Sequence, residues 1–308
     1  MQPGEINIDP IEGEFFTTEA LGSLNDALVR ESIQNSLDAK IGSGPVTVRF
    51  SFHDRLNVPA GSMEIVNASF DGISPHLSAR HSGLQIEPPL SEDFEYILIE
   101  DYGTRGLLGD IFQYDDLDDD FKRNDFYYFW RNIGRTRKED TDLGRWGLGK
   151  TVFQAASRIN SFFGLTVRND DRRTMLMGQS VLKIHKVKGL RYAPYGFFGI
   201  FDGDLPLPIE DSKYIVSFVK QFSVDRLEKS GFSILVPYPD KDLMDPKKCV
   251  KSVIRHYFFP LLAGQLIVEI KQGNKIITLD SVSFDTLLRN KGWLKSQREV
   301  GDVVDYVE

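Results

Sequence analysis

Two groups of residues in the 308-residue chain have types and spacings that could do chemistry. Glu31, Asn35 and Asp38 stand four and then three positions apart, so a helix would carry them on one face. Leu24, Ala27 and Leu28 share that face, so the polar trio extends an apolar stripe instead of facing open water. Acids placed there are costly unless a metal, water or ligand completes them; the alternative is a solvated helix edge. The second group is LGRWGLGKTVFQAAS from Leu143, where Gly144, Gly149, Lys150 and Thr151 have the G-x-x-x-x-G-K-[ST] spacing of a phosphate-binding P-loop. A P-loop hangs from a buried strand, and the residues before this one, Arg-Thr-Arg-Lys-Glu-Asp-Thr-Asp over 135–142, cannot form one. What remains is a glycine turn opening a helix at Thr151, able to bind an anion in some other architecture.

These residues need elements to hold them. Thr18 to Lys40 reads as a helix stopped by Gly-Ser-Gly-Pro at 42–45. Val46–Phe52, Ser62–Phe70, Tyr96–Glu100, Phe162–Val167, Met175–Ile184 and Phe232–Val236 read as strands. Gly103 to Arg145 is a long stretch between two glycine motifs, with an acidic run at 115–120 and an aromatic run, Asp125-Phe-Tyr-Tyr-Phe-Trp130. Such an insertion is more often a lid than a linker. From Asp245 a helix leads to a hairpin turned at Gly273-Asn274.

Composition narrows the classes. With 41% hydrophobic and 27% charged residues the chain is globular, and no apolar run reaches membrane-spanning length. The start MQPGEINIDP has no signal-peptide pattern, so a soluble cytoplasmic location is expected. Cys249 is the only cysteine, which excludes an intrachain disulfide and a multi-cysteine zinc site. A net charge of −8, from 37 Lys+Arg against 45 Asp+Glu, argues against a surface that is mostly a nucleic-acid footprint, and leaves a local basic patch open.

Three strings taken in order resolve the P-loop question: Glu31-Ser-Ile-Gln-Asn35-Ser-Leu-Asp38-Ala39, Glu100-Asp101-Tyr-Gly103-Thr-Arg-Gly106, and Gly144-Arg-Trp-Gly147-Leu148-Gly149. Together they resemble the motif set of the GHKL superfamily, the Bergerat-fold group of gyrase B subunits, MutL proteins, large heat-shock chaperones, microrchidia ATPases and histidine kinases. The match covers roughly residues 15–240 and makes the P-loop spacing a coincidence. Its first motif is specific; each glycine motif alone is weak.

The resemblance implies ATP and Mg²⁺ as ligands. It makes Asn35 the Mg²⁺ ligand through its amide oxygen and Asp101 the acceptor of the adenine amino group. Asp38 steadies the site. Gly103 and Gly106 let the backbone pass the base, while Gly144, Gly147, Leu148 and Gly149 face the phosphates, with Lys150 beside them. Glu31 stands where the family's ATPases keep the base that activates water and where histidine kinases generally lack an acid. None of His53, His76, His81, His185 and His256 lies in a recognisable phosphoacceptor segment. The sequence departs from the family pattern at Arg105, where many members have a glycine. It departs again at Gly231-Phe-Ser233, a loose version of the late glycine-threonine motif that assigns Ser233 to the base. A transducer-type lysine cannot be placed within 241–308.

The expected fold is α+β: a two-layer Bergerat sandwich with a mixed, largely antiparallel sheet, helices on one face, and an ATP lid between the glycine motifs. Residues 1–240 form the ATP-binding domain, with the lid at about 104–145. Residues 241–308 form a helix-hairpin extension leading to further domains of a longer protein. The expected function is Mg²⁺-dependent ATP binding and slow hydrolysis to ADP and phosphate. It acts as a conformational or dimerisation switch, with a homodimer forming on ATP and a protein partner or additional domains. By family analogy the setting is DNA transactions or defence against foreign DNA. Nucleic acid would be reached through other parts, and no membrane is involved. The alternatives are a nucleotide-sensing scaffold without useful turnover and a histidine-kinase-like phosphotransferase.

Overall fold

The computed structural model describes residues 8–10, 23–54, 72–84, 94–116, 124–132, 149–226 and 228–289. In chain order the first elements are α1 (Leu24–Asp38), β1 (Val46–His53), α2 (Ser74–Leu77), β2 (Tyr96–Tyr102), α3 (Asp125–Trp130), α4 (Thr151–Ala155), β3 (Ser161–Val167) and β4 (Thr174–Val181). There follow β5 (His185–Val187), β6 (Leu190–Tyr192), β7 (Tyr195–Phe198), β8 (Ile200–Asp202), β9 (Leu205–Leu207) and α5 (Ser212–Gln221). The last are β10 (Gly231–Pro237), α6 (Pro246–Leu262), β11 (Leu266–Gln272), β12 (Lys275–Leu279) and α7 (Ser281–Arg289). The strand expected at Ser62–Phe70 and the lid residues 117–123 and 133–145 lie outside the described residues.

Eight strands form one sheet in the order β12-β11-β1-β2-β10-β3-β4-β7. Only β1 and β11 run parallel; the other neighbours are antiparallel. This is the mixed α+β fold with a largely antiparallel sheet that the sequence implies. Alternation along each strand sorts side chains to two faces. Val48 and Phe50 of β1, Ile97 and Ile99 of β2 and Ile234 and Val236 of β10 pack with Leu28, Val29 and Ile33 of α1 and Val253 and Ile254 of α6. Tyr96, Leu98, Phe163 and Leu235 face the other way, against Ile215, Phe218, Val219 and Phe222. The last four stand at intervals of three, one and three, the stripe of an amphipathic helix, so α5 covers part of the second face as well.

The segment after residue 240 is built into the same body. β11 pairs with β1 from Val46–Leu266 to Phe52–Gln272, and α6 lies along α1. The division expected at residue 240 therefore has no counterpart in the sheet, because a hairpin read from sequence carries no sign of the distant strand it joins. Tyr257, with non-helical φ −130°, bends α6 three residues before Pro260, which cannot donate to the helix ladder. From the bend the Tyr257 hydroxyl donates to the Arg30 carbonyl at 2.7 Å, and Asn25 Nδ2 donates to the Lys248 carbonyl at 3.1 Å. These two bonds hold α1 against α6 from both ends.

Candidate functional site

α1 begins at Ser23, whose hydroxyl caps the Asp26 N–H, and presents the polar trio as its spacing requires. Asn35 Nδ2 donates to Glu31 Oε1 at 2.8 Å. With its amino group so engaged, Asn35 keeps its oxygen as the group for a cation. The Glu31 carboxylate lies against the Cα of Gly149, where a Cβ would come within 1.8 Å of Oε2. The first motif and the start of α4, far apart in sequence, thus meet at one point. Asp38, one turn on, is exposed and accepts from Gln34 Nε2 at 2.9 Å.

Asp101 is the next residue after Ile97 and Ile99 on the face of β2 that carries α1. Its Oδ1 accepts from the Thr104 hydroxyl at 2.5 Å and from the Phe232 N–H at 2.7 Å. Its Oδ2 lies 3.3 Å from the Ser36 hydroxyl, but that hydroxyl's single proton has a closer acceptor, the Ser32 carbonyl at 2.8 Å. Oδ2 therefore retains the capacity to accept from a ligand amino group. Ser36 follows Asn35, so the Asn35 amide and the Asp101 carboxylate are held at neighbouring positions of α1 and β2.

The glycines after Asp101 are fixed by geometry. Gly103 has φ +76°, and Gly106 has φ +74° with a Cβ position 2.5 Å from the Val167 carbonyl oxygen and 2.8 Å from Thr166 Oγ1. Arg105, the departure from the family pattern, braces this turn. Its N–H donates to the Ala39 carbonyl, its Nη1 to the Asp38 carbonyl at 2.8 Å, and its Nε pairs with Asp125 of α3 at 2.9 Å. An arginine here ties the end of α1 to α3. The aromatic run forms α3, packed on its own domain: Phe126 and Trp130 are buried and Trp130 stacks on Phe162 at 5.4 Å.

Two assigned residues are placed elsewhere. Ser233 pairs with Glu100 across β10 and β2 and shares the opposite face with it, accepting from Arg226 Nε at 2.6 Å. It cannot hold a base bound at Asp101, since one step along a strand reverses the face. Lys150 is committed to α3 and the residues just after it, its Nζ donating to the Tyr128 and Asn132 carbonyls. Burial there pushes its pKa down to about 7, with the Glu31 carboxylate opposing the shift. A P-loop lysine has its ammonium on phosphate; this one is held by backbone. Gly144, Gly147 and Leu148 lie outside the described residues.

Two residues were missed. Thr166, buried on β3 and paired with Phe232, is on the Asp101 side of the sheet. It accepts from the Leu107 N–H at 2.8 Å and donates to the Gly231 carbonyl at 3.2 Å, holding the chain just after Gly106 to the sheet. Its only signal was a hydroxyl inside an apolar strand. Arg226, fully buried, donates to the carbonyls of Asp101, Ser230 at 3.0 Å and Phe232 at 2.8 Å. Gly231, at φ +135°, makes room for it: a Cβ would lie 2.4 Å from both Arg226 Nη1 and Asp101 Oδ1. Beside it Glu100, whose pKa burial pushes up against the opposing pull of Arg226 and Arg49, accepts from the Asp225 N–H at 3.0 Å. Nothing in the local sequence marks a buried arginine.

No group of three or more His, Cys, Asp and Glu among the described residues is placed to hold a metal, and no described helix is long and apolar enough to cross a membrane. No protein-family model and no curated protein matches the sequence. Among solved structures the chain is similar to the ATPase and transducer domains of DNA topoisomerase II from Balamuthia mandrillaris, at 10% identity and TM-score 0.39, covering 88% of this chain and 52% of that one. It is also similar to the ATPase region of Saccharomyces cerevisiae topoisomerase II at 10% identity, with TM-score 0.38 over 88% and 52% of the two chains. A structure of that region bound to ICRF-187 (dexrazoxane) matches at 10% identity and TM-score 0.37, over 89% and 53%. The chain spans about half the length of the solved structures it matches. By its motif order, its mostly antiparallel sheet and the seating of α1 across that sheet, the chain resembles the GHKL, or Bergerat-fold, ATPases.

Proposed function

We propose that the chain binds ATP with Mg²⁺ at the junction of α1, the end of β2 and the start of α4, and hydrolyses it slowly. The observation that carries this is the meeting of Glu31, Asn35 and Gly149 beside Asp101, each offering a different part of what a nucleotide needs. Asp101 Oδ2 would accept from the adenine amino group; guanine has a carbonyl there, and two acceptors repel. Asn35 Oδ1 would ligate Mg²⁺, which needs few protein ligands because phosphate and water supply the rest. The bound cation would neutralise charge on the phosphates. Glu31, one turn from Asn35, is placed to orient a water and take its proton, with Asn35 Nδ2 fixing the carboxylate. Gly149 keeps the approach open, since any side chain there would meet Glu31.

Arg105 and Lys150 both end on the lid helix α3 or just beyond it, Arg105 at Asp125 and Lys150 at the Tyr128 carbonyl and at that of Asn132, two residues past the helix. Nucleotide bound between Asp101 and Gly149 would act on both anchors, which supports a switch in which ATP repositions the lid and brings two copies together. DNA transactions or defence against foreign DNA remain the setting that the family resemblance implies. Phosphate release by the purified chain with Mg²⁺-ATP tests the reading. Nucleotide binding without phosphate release would instead establish the nucleotide-sensing scaffold.

A further inference from the structure

The second feature that calls for a ligand is a ribbon. From residue 172 to 201 the chain has Arg172, Arg173, Lys183, Lys186, Lys188 and Arg191 and no Asp or Glu, within a protein of net charge −8. Arg173 pairs with Glu210 at 2.6 Å, as Arg49 pairs with Glu269 and Arg105 with Asp125. Lys183, Lys186, Lys188 and Arg191 are different: none has an ion pair among the described residues. Three of them lie on the β5–β6 ribbon, where Lys186 and Arg191 are directly opposite each other. Like charges in that register destabilise a ribbon. Holding them there with no carboxylate beside them among the described residues is a local conflict of the kind functional sites carry.

Lys186 and Lys188 are exposed, and Arg191 beside them is half-buried with its Nη2 covered and without a hydrogen-bond partner among the described residues. Lys188 and Gly189 take φ +49° and +82°, the two left-handed residues of a tight type I′ turn, which puts Lys188 at the tip. On the other face His185 and Tyr192, a cross-strand pair, root the ribbon on α2. His76 Nδ1 is 2.8 Å from His185 Nε2, and His185 Nδ1 is 2.7 Å from the Lys183 carbonyl. The Tyr192 ring meets His76 edge-on at 4.5 Å. At its base Lys183 shares a cleft with Arg80 and His81, and Asp9, whose Oδ1 accepts from the Ile184 N–H at 2.8 Å, also lines it.

We propose that the outer face of the β5–β6 ribbon binds the phosphate backbone of duplex DNA through Lys186, Lys188 and Arg191, with Lys183 and Arg80 extending the contact. A two-stranded ribbon fits the B-form major groove, whereas the A-form RNA groove is too deep and narrow for it. Single strands need an exposed aromatic platform, and Tyr192 is taken up by the two histidines. Lysine contacts to phosphate carry no base information, so binding is independent of sequence. The ribbon follows β4, three strands from the β2 that carries Asp101, so this surface does not depend on the nucleotide reading.

The test is fluorescence anisotropy of a labelled DNA duplex of arbitrary sequence titrated with the full chain at several salt concentrations. Three phosphate contacts give a slope of log affinity on log salt of about −3. Lys186→Glu/Lys188→Glu/Arg191→Glu should weaken binding more than tenfold and remove most of that slope, while ATP affinity is unchanged. A control of equal charge change on another face, Lys213→Glu/Lys220→Glu/Lys241→Glu, should bind nearly as wild type. If the reversal variant is misfolded by circular dichroism, protection of Lys186 and Lys188 from acetylation by the duplex decides the matter. The proposal fails if wild type does not bind duplex DNA, or if both triple variants lose affinity alike. It also fails if the ribbon-dependent ligand proves to be phosphatidylserine vesicles or single-stranded RNA in preference to the duplex, or if the duplex leaves both lysines unprotected.

Discussion

The Glu31 carboxylate rests on the Cα of Gly149, so the proposed water-activating group and a glycine proposed to face the phosphates form a single contact. Replacing either therefore reports on the other. Glu31→Ala is expected to keep ATP binding and lose turnover by about 10²–10⁴-fold, the usual contribution of a positioned base. Gly149→Ala forces the carboxylate away and should lose turnover too, but with a different signature in combination. Adding Gly149→Ala to Glu31→Ala should cost less stability than Gly149→Ala alone, because the clash is already relieved. Additive losses in urea unfolding would mean that the two residues do not meet in solution.

Asp101→Asn separates the two oxygens of one carboxylate. The Thr104 hydroxyl and the Phe232 N–H both donate to Oδ1, so an asparagine must keep its oxygen there and turn its NH₂ toward the Oδ2 position. That presents a donor to the adenine amino group, itself a donor. Losing a charge-assisted bond is worth about 1.5–3 kcal/mol, or roughly 10- to 150-fold in affinity. Calorimetry should show that loss with a thermal midpoint close to wild type. Equal affinity for ATP would remove Asp101 from the base site.

What was legible in the sequence is what repeats or pairs locally. α1 was legible because an apolar stripe and a polar trio share its period, and β1, β3 and β10 because their apolar runs end in turn residues. Ser233 was misplaced because the face of a strand residue depends on parity against a register that only the fold sets: Ser233 aligns with Glu100, not with Asp101. Arg226 gave no signal because its partners are mostly backbone carbonyls, which any sequence supplies. The parallel pairing of β11 with β1 was invisible for the same reason: it joins residues 220 positions apart, as the Arg49–Glu269 pair does. The P-loop spacing could be set aside from sequence because no strand precedes it, and in the fold Lys150 turns to the Tyr128 and Asn132 carbonyls.

Asn35 and Thr151 set the two phosphate-binding architectures against each other. A P-loop would ligate Mg²⁺ through the Thr151 hydroxyl, whereas here Thr151 is buried at the start of a five-residue helix. Asn35→Ala is expected to abolish Mg²⁺-dependent nucleotide binding or hydrolysis, while Thr151→Ala leaves both largely intact at a stability cost of about 1 kcal/mol. Titration of ATP with and without Mg²⁺ distinguishes them. A metal-binding defect confined to Thr151→Ala would restore the P-loop reading.

Lys150 should make the stability of the fold depend on alkaline pH in a definite direction. Burial holds its folded-state pKa at about 7, against 10.5 for an unperturbed lysine. Below pH 7 both folded and unfolded chains carry the proton, and the folded state bears the full cost of a buried ammonium. Between about 7 and 10.5 the unfolded chain binds more protons, so stability rises with pH, by at most about 1.4 kcal/mol per unit from this one group. The neutral amine can still donate to the Tyr128 and Asn132 carbonyls, so this tie survives the loss of charge. Lys150→Met lacks the titration and loses the carbonyl bonds equally at every pH. Urea unfolding at pH 7 and pH 9 should therefore show wild type gaining on the order of 1–2 kcal/mol relative to Lys150→Met as pH rises. Parallel pH profiles for the two proteins would mean that the ammonium is solvated in the folded state and that Lys150 is not buried against the Tyr128 and Asn132 carbonyls.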